Sequence, residues 1–188
     1  MVIDLYILGC LKEKALNLDF LTETADFIKL NRWTHYKKEL LLDRINTLEE
    51  LNYIEIVKNI ENKRDKNKYL ATKEGIMFFK RELEKYIKGP DIHIGMLILL
   101  LSFSNHFSKD ELVYLLKEKI ERINQKIEFL TREINKIFAE YGSIMGHLSL
   151  KTTLSFSKSE ILIYEELLNH IEENEDWKNS MLLESINF

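Results

Sequence analysis

With 188 residues, 45% of them apolar and 31% charged, the chain can bury a true core as one large or two small domains, and a disordered or fibrous class is excluded. The formal charge of −4 does not exclude nucleic acid, because it is unevenly placed: residues 1–88 carry 17 Lys+Arg against 15 Asp+Glu, and residues 89–188 carry 10 against 16. Phosphate binding depends on local potential, and the first half is net positive.

The start, Met1-Val2-Ile3-Asp4, lacks a basic leader, so no signal peptide is expected. A single cysteine, Cys10, allows no intramolecular disulfide and points to a reducing, cytoplasmic setting. The first helix is expected over Ile3 to Lys12, with Ile3, Ile7, Leu8 and Leu11 on its inner face and Cys10 buried among them. Asn17 or Asp19 is placed to cap a second helix that turns Leu21, Ala25 and Ile28 inward. From Lys29 to Lys38 the chain holds Lys29, Arg32, Lys37 and Lys38 with no acidic residue, interleaved with Trp33 and Tyr36. Alone, such a patch is often a solvated loop, and Trp33 reads best as a half-buried anchor.

The neighbouring elements give the patch its meaning. A third helix is expected to open at Thr34-His35-Tyr36-Lys37-Lys38, with Leu41, Ile45 and Leu48 as its buried stripe. Its polar opening can reach phosphates and base edges in a DNA groove, and a helix N-terminus already favours anions. Asn52 is suited to the left-handed conformation that stops this helix before a strand at Tyr53 to Lys58. A polar tip carries Lys63, Arg64, Lys66 and Lys68 and leads into a short strand at Tyr69 to Ala71. Thr72 caps the next helix, whose stripe is Ile76, Phe79, Leu83 and Tyr86 or Ile87, and Gly89-Pro90 ends it. Helix, recognition helix and basic hairpin make a winged helix-turn-helix.

These segments resemble the PadR family of transcriptional regulators. Ile7-Leu8-Gly9-Cys10-Leu11 is similar to that family's opening Ile-Leu-Gly-x-Leu. The run Tyr69-Leu70-Ala71-Thr72-Lys73-Glu74-Gly75 is similar to its wing exit, and Ile45 to Ile54 fits its Leu-x-x-Leu-Glu-x-x-Gly-Leu-Ile signature, with Asn52 where glycine is usual. The resemblance implies a mainly α fold with a small β wing, a helical C-terminal dimerisation domain, and a repressor that often answers to a small hydrophobic or aromatic effector.

Past Pro90, the apolar run 92–103 is too short to span a membrane and reads as a buried helix. Ser108-Lys109-Asp110-Glu111 is a capping box. The helix it opens repeats apolar residues four and three apart at Leu116, Ile120, Ile123, Ile127, Leu130, Ile134, Ile137 and Tyr141, a heptad seam. After the Gly142 to Gly146 turn, Leu150, Leu154, Ser157, Ile161, Tyr164, Leu168 and Ile171 repeat the spacing. A helix from Ser108 to Tyr141 would be roughly 50 Å long at about 1.5 Å per residue, so it needs a partner, and a symmetric homodimer through this seam with Tyr164 and Leu168 is the economical expectation. The expected domains are a winged-helix DNA-binding domain at 1–88, a helical coiled-coil dimerisation domain at 91–176, and a tail at 177–188.

No catalytic or metal constellation is found. The five histidines are scattered, no glycine-rich phosphate loop occurs, and neither an enzyme nor a cofactor is expected. The sequence thus points to a homodimeric regulator that reads a pseudo-palindromic site in double-stranded DNA through Thr34, His35, Tyr36, Lys37 and Lys38. Lys63, Arg64, Lys66 and Lys68 would hold phosphates. The rival reading is a protein-interaction adaptor that uses a winged helix and coiled coil without DNA.

Overall fold

The computed structural model describes residues 1–32, 34, 36–57, 67–89, 93–141 and 143–180. In chain order these form α1 (Val2–Cys10), β1 (Leu16–Asn17), α2 (Leu18–Phe27), α3 (Lys38–Glu50), β2 (Ile54–Val57), β3 (Lys68–Ala71), α4 (Lys73–Lys88), α5 (Ile94–Phe103), α6 (Lys109–Tyr141) and α7 (Ile144–Glu173). The described part of the chain is mainly helical, with one three-stranded antiparallel sheet in the order β1-β3-β2. Two compact units are present: Met1–Lys85 with His93–His106, and Tyr86–Ile92 with Phe107–Phe188.

In the first unit, α1 is buried nearly all round, with Leu5, Tyr6, Ile7 and Leu8 at 1% exposure or less. Asn17 caps α2 by accepting the Phe20 N–H at 2.9 Å, which settles the choice between Asn17 and Asp19. The Leu41, Ile45 and Leu48 stripe of α3 is buried as its spacing predicts. Asn52 stops the chain after α3 with φ 58°, the left-handed value its short polar side chain tolerates.

The wing strands pair from Ile54 opposite Ala71 to Val57 opposite Lys68. Strand β1, only two residues long, adds Leu16 opposite Tyr69. The sequence carried no strand signal there, because two residues are too few to show a period. Thr72 closes the base of the wing: its hydroxyl donates to Asn52 O at 2.7 Å and accepts the Gly75 N–H at 3.1 Å, while its own N–H donates to Tyr53 O at 3.0 Å. Gly75 is required by this crossing, since a Cβ there would stand 2.1 Å from Tyr53 O.

Helix α5 belongs to the first unit, whereas the expected boundary at Pro90 assigned it to the C-terminal helices. It is apolar on nearly every side, so no periodicity showed which partner it would take. Gly9 of α1 decides the matter: a Cβ there would lie 2.8 Å from the Phe103 ring, so only glycine lets α5 come this close. Phe103 stacks on His106 at 5.6 Å, Phe79 meets both rings edge-on, and His106 Nε2 lies 3.1 Å from Gly9 O.

In the second unit, α6 and α7 form an antiparallel hairpin. The capping box at α6 is reciprocal, with the Glu111 N–H donating to Ser108 Oγ at 3.3 Å and the Ser108 N–H to Glu111 Oε2 at 3.4 Å. Lys117 pairs with Glu172 at 2.7 Å across the hairpin.

Replacing Gly75 with Ala is expected to cost about 3 kcal/mol, because backbone rather than a flexible side chain meets the new methyl. Asn52→Gly should stay within a few tenths of a kcal/mol of the parent and Asn52→Val should lose more than about 1 kcal/mol. Urea unfolding of the three variants checks this, and parental stability in Gly75→Ala would contradict the close crossing. Burial pushes the Cys10 thiol up to about 12. Iodoacetamide at pH 8 should therefore alkylate Cys10 at least ~100-fold more slowly in the folded protein than in urea, as followed by mass spectrometry.

Candidate nucleic-acid interface

Helix α2, the intervening turn and α3, followed by the β2–β3 hairpin, have the winged helix-turn-helix order. Of the described residues expected to open the recognition helix, Thr34, Tyr36, Lys37 and Lys38, only Lys38 lies in it. Lys37 is its N-cap, exposed and extended at φ −141° and ψ 152°. Thr34 instead prolongs the 3-10 turn Leu30–Arg32: its N–H and its hydroxyl both donate to Leu30 O, at 3.0 and 2.9 Å. That back-bonding competes with helix initiation, and an aromatic and β-branched run has little helix propensity to oppose it. Tyr36 is half-buried, and desolvation holds its hydroxyl pKa above the ordinary phenol value. His35 and Trp33 lie outside the described residues.

The electrostatics of α3 differ sharply along its length. Lys37 and Lys38 are exposed at its start, with Lys38 Nζ 3.6 Å from Asp19 of α2. Beyond them the exposed positions are Glu39, Leu42, Asp43, Asn46, Glu49 and Glu50. Arg44 does not offset these, because it is committed to the buried Asp4 carboxylate at 2.5 Å, a partner that raises its own pKa further. The positive end of α3 is thus its N-terminus, where two lysines add to free backbone N–H groups.

On the wing, Lys63, Arg64 and Lys66 lie outside the described residues. Lys68 opens β3, half-buried between Val57 on one side and Asn17 on the other.

Most of the described residues expected to dimerise are buried within the single chain. Leu116, Ile123, Leu130, Ile134, Tyr164 and Leu168 are all 8% exposed or less, and Ile120 and Ile127 are half-buried; the side chain of Ile137 is outside the description. The heptad seam therefore closes α6 on α7. The large apolar residues left exposed on the hairpin include Phe129, Met145, Leu148, Phe156 and Leu162. A sequence pattern could not separate the two sets, because both fall on helical spacing.

The hairpin also holds a buried charge that the sequence did not signal. Lys119 is 2% exposed; its Nζ donates to Gly89 O at 2.8 Å, stands 3.6 Å from Glu160 Oε1, and lies over the rings of Tyr86 and Tyr164. Desolvation lowers its pKa against the opposing pull of Glu160. Arg122 donates to the carbonyls of Lys88 at 2.5 Å and Ile87 at 3.4 Å, so two cations of α6 cap the C-terminal end of α4.

Among the described residues no group of three or more His, Cys, Asp or Glu is placed to hold a metal ion, and no helix is long and apolar enough to cross a membrane. The sequence matches no protein-family model and no curated protein. Solved structures do match. PadR of Bacillus subtilis in complex with operator DNA is 20% identical, with a TM-score of 0.42, over 91% of this chain and 99% of that one. The same protein in complex with p-coumaric acid is 22% identical, with a TM-score of 0.36, over 92% and 99%. A PadR-like transcriptional regulator of Bacillus cereus is 17% identical, with a TM-score of 0.38, over 92% and 99%. Over about nine-tenths of its length, at low identity, this chain is similar to PadR and PadR-like transcriptional regulators.

Proposed function

We propose that the protein is a sequence-specific DNA-binding transcriptional regulator, a repressor acting as a homodimer on a pseudo-palindromic operator in the cytoplasm. The observation that carries this reading is the exposed Lys37–Lys38 pair at the N-terminus of α3, in a helix-turn-helix backed by a hairpin wing. Recognition helices of this class meet base edges mainly through their N-terminal residues. End-on entry suits this chain in particular. It brings the lysines and the helix dipole to the DNA and holds Glu49 and Glu50, three turns further on, away from the phosphates. Near the groove, Glu39 and Asp43 can accept from cytosine amino groups and Asn46 can pair with adenine.

Lys63, Arg64, Lys66 and Lys68 serve the reading as phosphate contacts of the wing, and Thr34, His35 and Tyr36 as the approach to α3. A second copy of the chain supplies the second half-site. Its contact uses the apolar residues that the α6–α7 hairpin leaves exposed, with the heptad seam giving each hairpin its rigidity. A small hydrophobic or aromatic effector would regulate the complex.

One observation favours a second reading. The exposed face of α3 beyond Lys38 carries Glu39, Asp43, Glu49 and Glu50, which would suit a basic protein surface and hence an adaptor role.

Fluorescence anisotropy on random duplex DNA separates the two. A regulator shows weak binding that falls steeply with salt, and Lys37→Ala or Lys38→Ala should each reduce the slope of log K against log salt by about one. Binding that stays undetectable at low salt would remove the DNA reading and leave the adaptor. Light scattering tests assembly separately: a dimer mass is expected, and Phe156→Glu with Leu162→Glu should yield folded monomer. A monomeric parent would contradict the paired half-sites.

A further inference from the structure

The outer face of α3 carries one residue that contact with water alone does not explain. Of the helix's exposed side chains, Lys38, Glu39, Asp43, Asn46, Glu49 and Glu50 are polar, and Leu42 is apolar and 41% exposed. A single exposed leucine is ordinary on a protein surface, so exposure by itself decides nothing. Its place decides more. Glu39, Leu42 and Asn46 follow one another at intervals of three and four, with Lys38 one turn before Leu42, so they share one stripe of the helix. That stripe is turned away from the core that Leu41, Ile45 and Leu48 fill. At about 1.5 Å per residue, Leu42 stands roughly 6 Å beyond Lys38 along the axis, within the first two turns that end-on entry brings to the bases.

The polar neighbours of Leu42 leave one feature of the major groove unread. Lys38 donates, so it seeks acceptors such as guanine O6 and N7. The carboxylates of Glu39 and Asp43 accept, so they suit the amino groups of cytosine and adenine. Thymine offers an acceptor and a C5-methyl group, and the methyl is what separates it from every other base on that edge. An apolar side chain is its natural counterpart. Water is released from both apolar surfaces when leucine meets this methyl, whereas a polar base edge set against leucine loses its hydrogen-bonded water without compensation.

Resting on the DNA reading above, we propose that Leu42 is a specificity-determining residue that reads a thymine methyl group in the major groove of each half-site. It makes no phosphate contact, so it adds to discrimination among sequences and leaves general DNA affinity unchanged.

Replacing thymine by uracil tests this, because the exchange removes the methyl and keeps every hydrogen-bonding group. The full chain first selects its sequence from a random duplex library. Fluorescence anisotropy then follows binding to the selected duplex with each thymine replaced in turn by uracil. At least one replacement should weaken binding at least ~3-fold, the order expected for one buried methyl group. Leu42→Ala should lose affinity for the thymine duplex to a similar degree and lose nothing further on that uracil duplex. On random DNA the variant should keep the parent's affinity and salt dependence, which also shows that it is folded. The role of Leu42 is overturned, with the DNA reading intact, if a sequence is selected but every uracil costs less than ~3-fold, or if uracil costs Leu42→Ala as much as it costs the parent. Failure to select any sequence overturns both.

Discussion

The base of the wing is the constraint on which the reading head depends. Within one small volume, α3 ends, the chain turns through the left-handed Asn52, β2 leaves, β3 returns, and Thr72 starts α4. Thr72 ties three of these pieces at once through Asn52 O, Tyr53 O and the Gly75 N–H. The Tyr53 carbonyl occupies the space that a side chain at residue 75 would need. A residue without a Cβ there lets α4 pass directly under the wing, so the direction of the hairpin is set by the same contacts that fix the end of α3.

Charge then decides how such a head can approach a polyanion. Whole-chain acidity is no obstacle, but the acidity of α3 itself is a real restriction. Its one arginine is used internally, paired with buried Asp4. What remains outside is basic at the first turn and acidic after it. A helix polarised in this way favours entry by its N-terminus over lying along a groove, because the dipole, the free N–H groups and both lysines are at the same end.

The C-terminal hairpin divides its apolar residues into two sets with different tasks. Those on the seam are consumed by the chain's own α6–α7 packing and give a stiff two-helix unit. The others remain outside and are free for a second molecule. Inside the hairpin, Lys119 and Glu160 have been taken out of water with incomplete compensation. A buried pair of that kind is seldom a net source of stability.

Local chemistry was legible in the residue order: the Asn17 and Thr72 caps, the left-handed Asn52, the Ser108–Glu111 box and the stripes of α3 and α6 all arise from interactions within a few positions along the chain. The start of α3 is local as well, but there Thr34 bonding back to Leu30 outweighed a basic, helix-like pattern. Tertiary structure alone decided the rest. The place of α5 depends on a ring fitting over Gly9, and a helix apolar on every side carries no record of its partner. The seam announced its period but not that α7 of the same chain would fill it. The burial of Lys119 came from a carboxylate on another helix and a carbonyl at the end of a third, and no sequence window contains all three.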